Sequence, residues 1–334
     1  MTTDPSAQGL IHGDVPGDAS HGGAGATTAG PGGPAASGAP AAGRHDEGAS
    51  IWRQALRRMR RNPGAVIGAV IVTAFVVVAL LAPVLAAYGA DALPGRAEIR
   101  PTFIPGPSDA YPLGLDRYGG DLLSKLIWGA RASLLIGVLS TVLGLVGGAL
   151  LGLLAGAFGG WVDTLTMRLV DLMLSVPSLL LAVSIAAVIG QSSTAVIVAI
   201  GVVQVPIFAR LLRGTMLAQR GQDYVLAARS LGLSRRTVTM SHILPNSLGP
   251  VIVQATLMLA TAVIEAAALS FLGLGGGSPT TAEWGRMLTA AQSELEVAPR
   301  LALWPGALIA VTALGFTLFG EALREALDPK TRTR

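Results

Sequence analysis

Beyond residue 60 the chain is built from six long apolar runs separated by polar or glycine- and proline-rich stretches. The first is uninterrupted from Gly64 to Tyr88, and the others fall at about 131–157, 167–189, 194–212, 247–274 and 301–322. A helix of about 20 residues crosses the ~30 Å hydrocarbon core of a bilayer, so each run predicts one transmembrane helix. Local features sharpen individual spans. In the second run Gly144, Gly148, Gly152 and Gly156 recur every four residues, with Ser140 extending the row. One ridge of that helix therefore lacks side chains, and another helix can approach closely along it. Phe158 to Asp163 predicts a tight turn, Pro177 a kink in the third span, and Pro206, beside Gln204, a break in the fourth. Pro245 and Pro250 fit the first turn of the fifth span rather than its middle.

Composition agrees with this pattern. The 334 residues are 51% hydrophobic and 13% charged, with mean hydropathy +0.59, too apolar for a soluble domain whose surface must be solvated. The expected fold class is an all-α integral membrane protein with six transmembrane helices. With no cysteine in the chain, disulfide frameworks and thiolate chemistry are excluded. A sequence pI near 9.9 raises nucleic acid as a partner, but the arginines sit beside apolar spans and read as topology determinants, so no nucleic-acid role is expected.

Charge orients the spans. Arg53, Arg57, Arg58, Arg60 and Arg61 precede the first run on a short segment with Trp52, which is expected to be helical, and hold its start in the cytoplasm. The loop 209–246 holds Arg210, Arg213, Arg220, Arg229, Arg235 and Arg236 against Asp223 alone, the most positive loop in the chain. The loops at 89–127 and 275–300 are each slightly acidic, which suits the outside. Both termini are then cytoplasmic. Residues 1–50, rich in Gly, Ala, Pro, Ser and Thr, cannot bury enough apolar surface to offset ordering entropy and are expected to be a disordered tail. His12, His21 and His45 in it are too loosely spaced to define a metal site.

The central loop carries the most informative string, Asp223-Tyr-Val-Leu-Ala-Ala-Arg-Ser-Leu-Gly232, continued from Ser234 to Pro245. Asp223 caps or charges a helix start, Gly232 closes it in a left-handed conformation, and Ser234 offers a second cap. Tyr224, Ala227, Ala228 and Leu231 fall at i, i+3, i+4 and i+7, a small apolar stripe suited to a partner's groove. Within the spans, Arg168 and Asp171, three apart, are expected to form an ion pair that relieves the cost of each charge. Gln204, Gln254 and Glu265 are the candidate pathway residues. A carboxylate at the depth of Glu265 either bonds to a neighbour or faces water. Asp116, Arg117 and Asp121 of the first external loop lack a nucleophile or metal set beside them and read as loop charges or packing ion pairs. No catalytic and no metal-binding residues are assigned.

The string Ala227-Ala228, Gly232, Leu244-Pro245 resembles the EAA loop of bacterial ABC-transporter permeases, the cytoplasmic coupling helix that sits on the ATPase subunit. Leu226 stands where that motif has Glu and His242 where it has Ile. The His-Ile-Leu-Pro-Asn-Ser version, together with Tyr111 to Lys125, Trp128 to Leu134 and the end of the fifth span, is similar to the C-type permease of the dipeptide/oligopeptide/nickel importers. The resemblance covers roughly residues 51–330. It implies an ABC type I importer permease fold in the bacterial cytoplasmic membrane, with an N-terminal segment, first span and external loop at 51–130, and a five-helix core at 131–330 containing the coupling loop. It also implies a heterodimer with a second permease subunit, two ATP-binding subunits and an extracytoplasmic substrate-binding protein. No G-x4-G-K-[ST] occurs, so no phosphate-cradling loop is present, and ATP and Mg would be bound by the partner ATPases, with no cofactor on this chain. The substrates implied are peptides, with nickel or another small solute as the alternative. A secondary transporter would need intramembrane ion ligands beyond Asp171 and Glu265, and an intramembrane enzyme would need a nucleophile and base at membrane depth.

Overall fold

The computed structural model describes residues 57–100 and 103–327. The tail at 1–50, its histidines and the first part of the Trp52 segment lie outside the described residues. Nine α-helices of eight residues or more organise the described residues: α1 (Pro63–Leu80), α2 (Leu122–Phe158), α3 (Gly160–Leu174), α4 (Ser178–Ile189), α5 (Ser193–Arg220), α6 (Asp223–Ser230), α7 (Leu244–Phe271), α8 (Trp284–Ala291) and α9 (Arg300–Leu327). Helices α1, α2, α5, α7 and α9 are each long and apolar enough to cross a membrane, and α3 with α4 forms a bent pair. With that pair counted as one crossing, the described residues hold six candidate spans.

The glycine row of α2 is the seam on which α5 lies. A Cβ added at Gly148 would sit 2.4 Å from Cβ of Phe208 and 2.5 Å from the Val205 carbonyl oxygen, and one at Gly152 would sit 2.7 Å from the Ala209 oxygen. Gly144 meets Gln204 and Gly201, and Gly156 meets Met216. The two backbones touch along four turns because no side chain holds them apart. On the other side, α1 packs on α9 in the same way, with Gly68 against the backbone of Gly315 and Phe319. Asn62 caps α1 and donates from Nδ2 to Glu325 at 3.0 Å, so the first and last helices are also joined at their cytoplasmic ends.

Three expectations about prolines need correction. The fourth span does not break at Pro206: α5 is one helix, because proline removes only its own N–H and the helices packed around the buried Pro206 keep the two halves in line. Pro250 lies inside α7, whereas Pro245 is in its first turn as expected. The third span does more than kink. Helix α3 ends with the Ser175 N–H on the Asp171 carbonyl, Pro177 is extended at φ −53° and ψ 132°, and α4 starts afresh, 92° away. A proline pushes the residue before it out of helical geometry, and among the described residues, 174–180 stay exposed, so little packing opposes the turn.

At the external end, Trp284 is fully buried, donates from Nε1 to the Leu126 carbonyl at 3.0 Å and meets Phe75 edge-on at 5.7 Å. The loop charges form packing contacts: Lys125, 3% exposed, pairs with Asp116 at 2.5 Å, Arg117 with Glu294 at 3.1 Å, and Asp121 caps α2 through the Ser124 N–H. Burial pushes the carboxyl of Glu283, which caps α8, above the usual carboxylate range, opposed by the hydrogen bonds it accepts from the Gly285 and Arg286 N–H groups.

The seam generates a test. Gly148→Leu should force α2 and α5 apart and lower the amount of folded subunit in the membrane several-fold, as expected when overpacking costs about 1–3 kcal/mol or more. Gly214→Ala, where nothing lies within 4 Å, should leave it unchanged, both read by immunoblot and protease sensitivity of membranes.

Candidate coupling surface and membrane pathway

The central loop folds as a short helix with defined ends. Gln222 rather than Asp223 occupies the N-cap position and makes no side-chain bond there, so Asp223 contributes charge at the positive end of the helix dipole and no cap. At the other end, the Gly232 N–H bonds to the Arg229 carbonyl at 2.9 Å and the Leu233 N–H to the Ala228 carbonyl at 3.3 Å. This pair of crossed bonds closes a helix through a left-handed residue, and Gly232 has φ +79°. Ser234 caps the next turn by accepting from the Thr237 N–H at 3.2 Å. A π-helical turn, Thr239–Ile243, then leads into α7, where Leu244 is half-buried and Pro245 exposed. Nothing in the local sequence announces that turn.

The expected stripe divides between two faces. Ala228 points inward with Val225, which is 0% exposed, and both join Phe208, Leu212, Met216, Val238, Ile243 and Val251 in one apolar cluster. Tyr224, Ala227 and Leu231 face outward, Leu231 at 81% exposure. The correction has a simple cause: Val225 and Ala228 are also three apart, and the way α6 hangs from α5 decides which pair meets the core. The outward face is apolar and lies on the cytoplasmic side, where lipid cannot cover it.

Two further site expectations change. Asp171 pairs with Arg210 of α5 at 2.6 Å rather than with Arg168, because α5 crosses α3 there and brings a guanidinium from outside the helix. Gln204 is 2% exposed, inside the α2–α5 seam against Gly144, and so does not line a pathway surface. Glu265 and Gln254 are half-buried on α7, with exposed Thr261 on the same stripe, and Ser178 at the start of α4 lies near Glu265. The right-angle break of the third span thus stands beside the only acidic residue of α7.

Several arginines of the loop have partners that sequence reading missed. Arg220, the last residue of α5, donates to the carbonyls of Gly156 and of Ala157, the latter at 3.0 Å. Arg235 donates to the carbonyls of Ala157 at 2.9 Å and Phe158 at 2.8 Å. Arg213 forms a two-pronged pair with Asp163, its NH2 to Oδ2 at 2.7 Å. Their placement on either side of α6 was the available signal; their backbone acceptors leave no trace in a sequence.

A helical bundle with up to six candidate crossings among the described residues, a bounded helix in its central loop and a polar stripe on α7 is the architecture of a membrane transport subunit. The chain belongs to the family of binding-protein-dependent transport system inner membrane components, whose model matches residues 148–333, and it is a multi-pass protein of the cytoplasmic membrane. Residues 50–98 match the N-terminal transmembrane domain of oligopeptide transport permease C. The chain is 41% identical to the dipeptide transport system permease protein DppC of Alkalihalophilus pseudofirmus over 85% of this chain and 91% of that one. It is 38% identical to the glutathione transport system permease protein GsiD of Pectobacterium atrosepticum over 84% and 92%. Among solved structures, the inward-facing MetNI methionine ABC transporter has a chain with the same fold, at TM-score 0.51 and 19% identity, covering 62% of this chain and 98% of that one. Members of the family are permease subunits and not themselves ATPases.

The two faces of α6 separate in a mutational test. Val225→Asp buries an unpaired charge and should reduce folded subunit sharply, by several kcal/mol in the usual range for such changes. Leu231→Asp should leave the subunit level within about two-fold, since exposed substitutions typically cost within about 0.5 kcal/mol. Membrane yield of each variant reads both outcomes.

Proposed function

We propose that this chain is one of two permease subunits of an ATP-driven importer for peptides, and that it forms half of the translocation pathway. The observation that carries the substrate class is the 41% identity, over 91% of its length, to a dipeptide permease, supported by the glutathione permeases at similar identity. The complex contains a second permease, two ATP-binding subunits that hold ATP and Mg, and an extracytoplasmic binding protein, with no cofactor bound by this chain. The outward face of α6, with Tyr224, Ala227 and Leu231, seats on the ATPase. Asp223 and Gly232 bound that helix, Ala228 anchors it from inside, and Leu244 and Pro245 start the helix that leads back into the membrane. When the ATPases close around ATP, α6 moves and the bundle shifts between inward- and outward-open populations. The stripe of Gln254, Thr261 and Glu265 faces the pathway, because polar groups at membrane depth need water, a partner subunit or substrate. Residues 51–130 and 131–330 serve as the N-terminal attachment and the transport core. Nickel or another small solute remains the second substrate class, through the branch that the His-Ile-Leu-Pro-Asn-Ser string resembles.

Deleting the subunit should abolish ATP-dependent uptake of di- or oligopeptides in a panel of labelled peptides and metal ions, as should inactivating the partner ATPase. Loss of metal uptake with peptide uptake intact would overturn the peptide reading. Glu265→Gln keeps shape and hydrogen bonding but removes the charge. In assembled complex it should lower the uptake rate of cationic peptides about ten-fold relative to neutral ones, the loss that one charge-assisted contact of about 1.4 kcal/mol gives.

A further inference from the structure

The carbonyls of the last turn of a helix have no partner within the helix and must find one elsewhere. At the cytoplasmic end of α2 the Ala155 carbonyl accepts from the Gly159 N–H, and Gly156, Ala157 and Phe158 are all served by Arg220 and Arg235. These two residues bracket the coupling helix, one at the end of α5 and the other just after the Ser234 cap. Positive charge at a helix C-terminus is also favoured by the dipole. The α2 end is followed by Gly159 and Gly160, at φ +69° and +58°, each with open space around it, and then by α3, whose first turn is gripped through Asp163 by Arg213. Helix α3 ends at the right-angle break where Ser178 meets Glu265.

We propose that Arg220 and Arg235 form a clamp that transmits displacement of the coupling helix to the end of α2, and through the two-glycine joint to the broken third span. The proposal rests on the reading of α6 as the ATPase-docking helix. The two arginines are positioning residues: they touch neither substrate nor nucleotide. A shift of α6 between them loads both sets of carbonyl contacts together. The end of α2 follows, while the seam holds the rest of α2 to α5, so the movement is taken up at Gly159 and Gly160 and passed to α3. Arg213, on the same helix as Arg220, keeps the start of α3 in step with α5.

The test uses the whole transporter, reconstituted in liposomes with its partner subunits and binding protein, and measures labelled peptide carried per ATP hydrolysed. Arg235→Ala, at an exposed site, should retain the ATPase on co-purification and hydrolyse ATP at near the normal rate. Its transport per ATP should fall about ten-fold, within the usual range for a coupling between sites. Arg220→Ala should behave alike, and if it fails to accumulate, Arg235→Ala decides alone. Arg236→Ala removes the same charge from the same loop and should transport normally. Unchanged transport per ATP in Arg235→Ala, or an equal loss in Arg236→Ala, would overturn the clamp. Leu231→Asp separates the underlying reading: full ATPase recovery and normal uptake in that variant would sink the docking role of α6, whatever the arginines do.

Discussion

Backbone contact between α2 and α5 is the constraint from which the rest follows. Four glycines let two helices approach until a methyl group at Gly148 would overlap the neighbouring chain. Lipid offers no hydrophobic drive for helices to associate, so the contact must come from packing at short range. That closeness sets where everything at the cytoplasmic end falls. It brings the last carbonyls of α2 within reach of Arg220, at the end of α5 just before α6, and of Arg235, which follows α6. Held one side chain further away, the same arginines would reach only water.

The third span is the counterpart. Where α5 is covered on its faces and runs straight through Pro206, the chain around Pro177 is uncovered and turns through a right angle. The break leaves helix ends and polar side chains at membrane depth, tolerable only beside protein or water. Glu265 is the neighbour that Ser178 finds there. The seam and the broken span both pack on α5, the first through a row of glycines and the second through Ala182 and Ala186, which join Val196 and Ile200 in one apolar cluster.

Much of this was legible in the residues. The apolar runs located the spans but not all their ends, since α1 stops at Leu80, α2 starts at Leu122 and α5 runs on to Arg220; the four-residue glycine repeat gave the seam, and Gly232 and Ser234 marked helix ends that the structure has. What escaped was whatever depends on a second element. Pro177 and Pro206 look alike in their own windows, and only the helices packed against one of them make the difference. Arg168 and Asp171 satisfy a local spacing rule, yet Arg210 reaches Asp171 from another helix, and no local rule contains that partner. Val225 went unremarked because a helix of eight residues offers several apolar pairs, and only its attachment to α5 chooses among them. Gln204 suggested a lumen by its polarity, but the seam beside it has buried it.

The bond from Asn62 to Glu325 has one more consequence. It brings the beginning of the first helix to the end of the last, beside the close packing of Gly68 on Gly315 and Phe319. In contact terms the described helices therefore close on themselves, the first long helix lying against the last. That contact ties the start of the first span to the cytoplasmic end of the last, so a displacement of either helix is felt by the other.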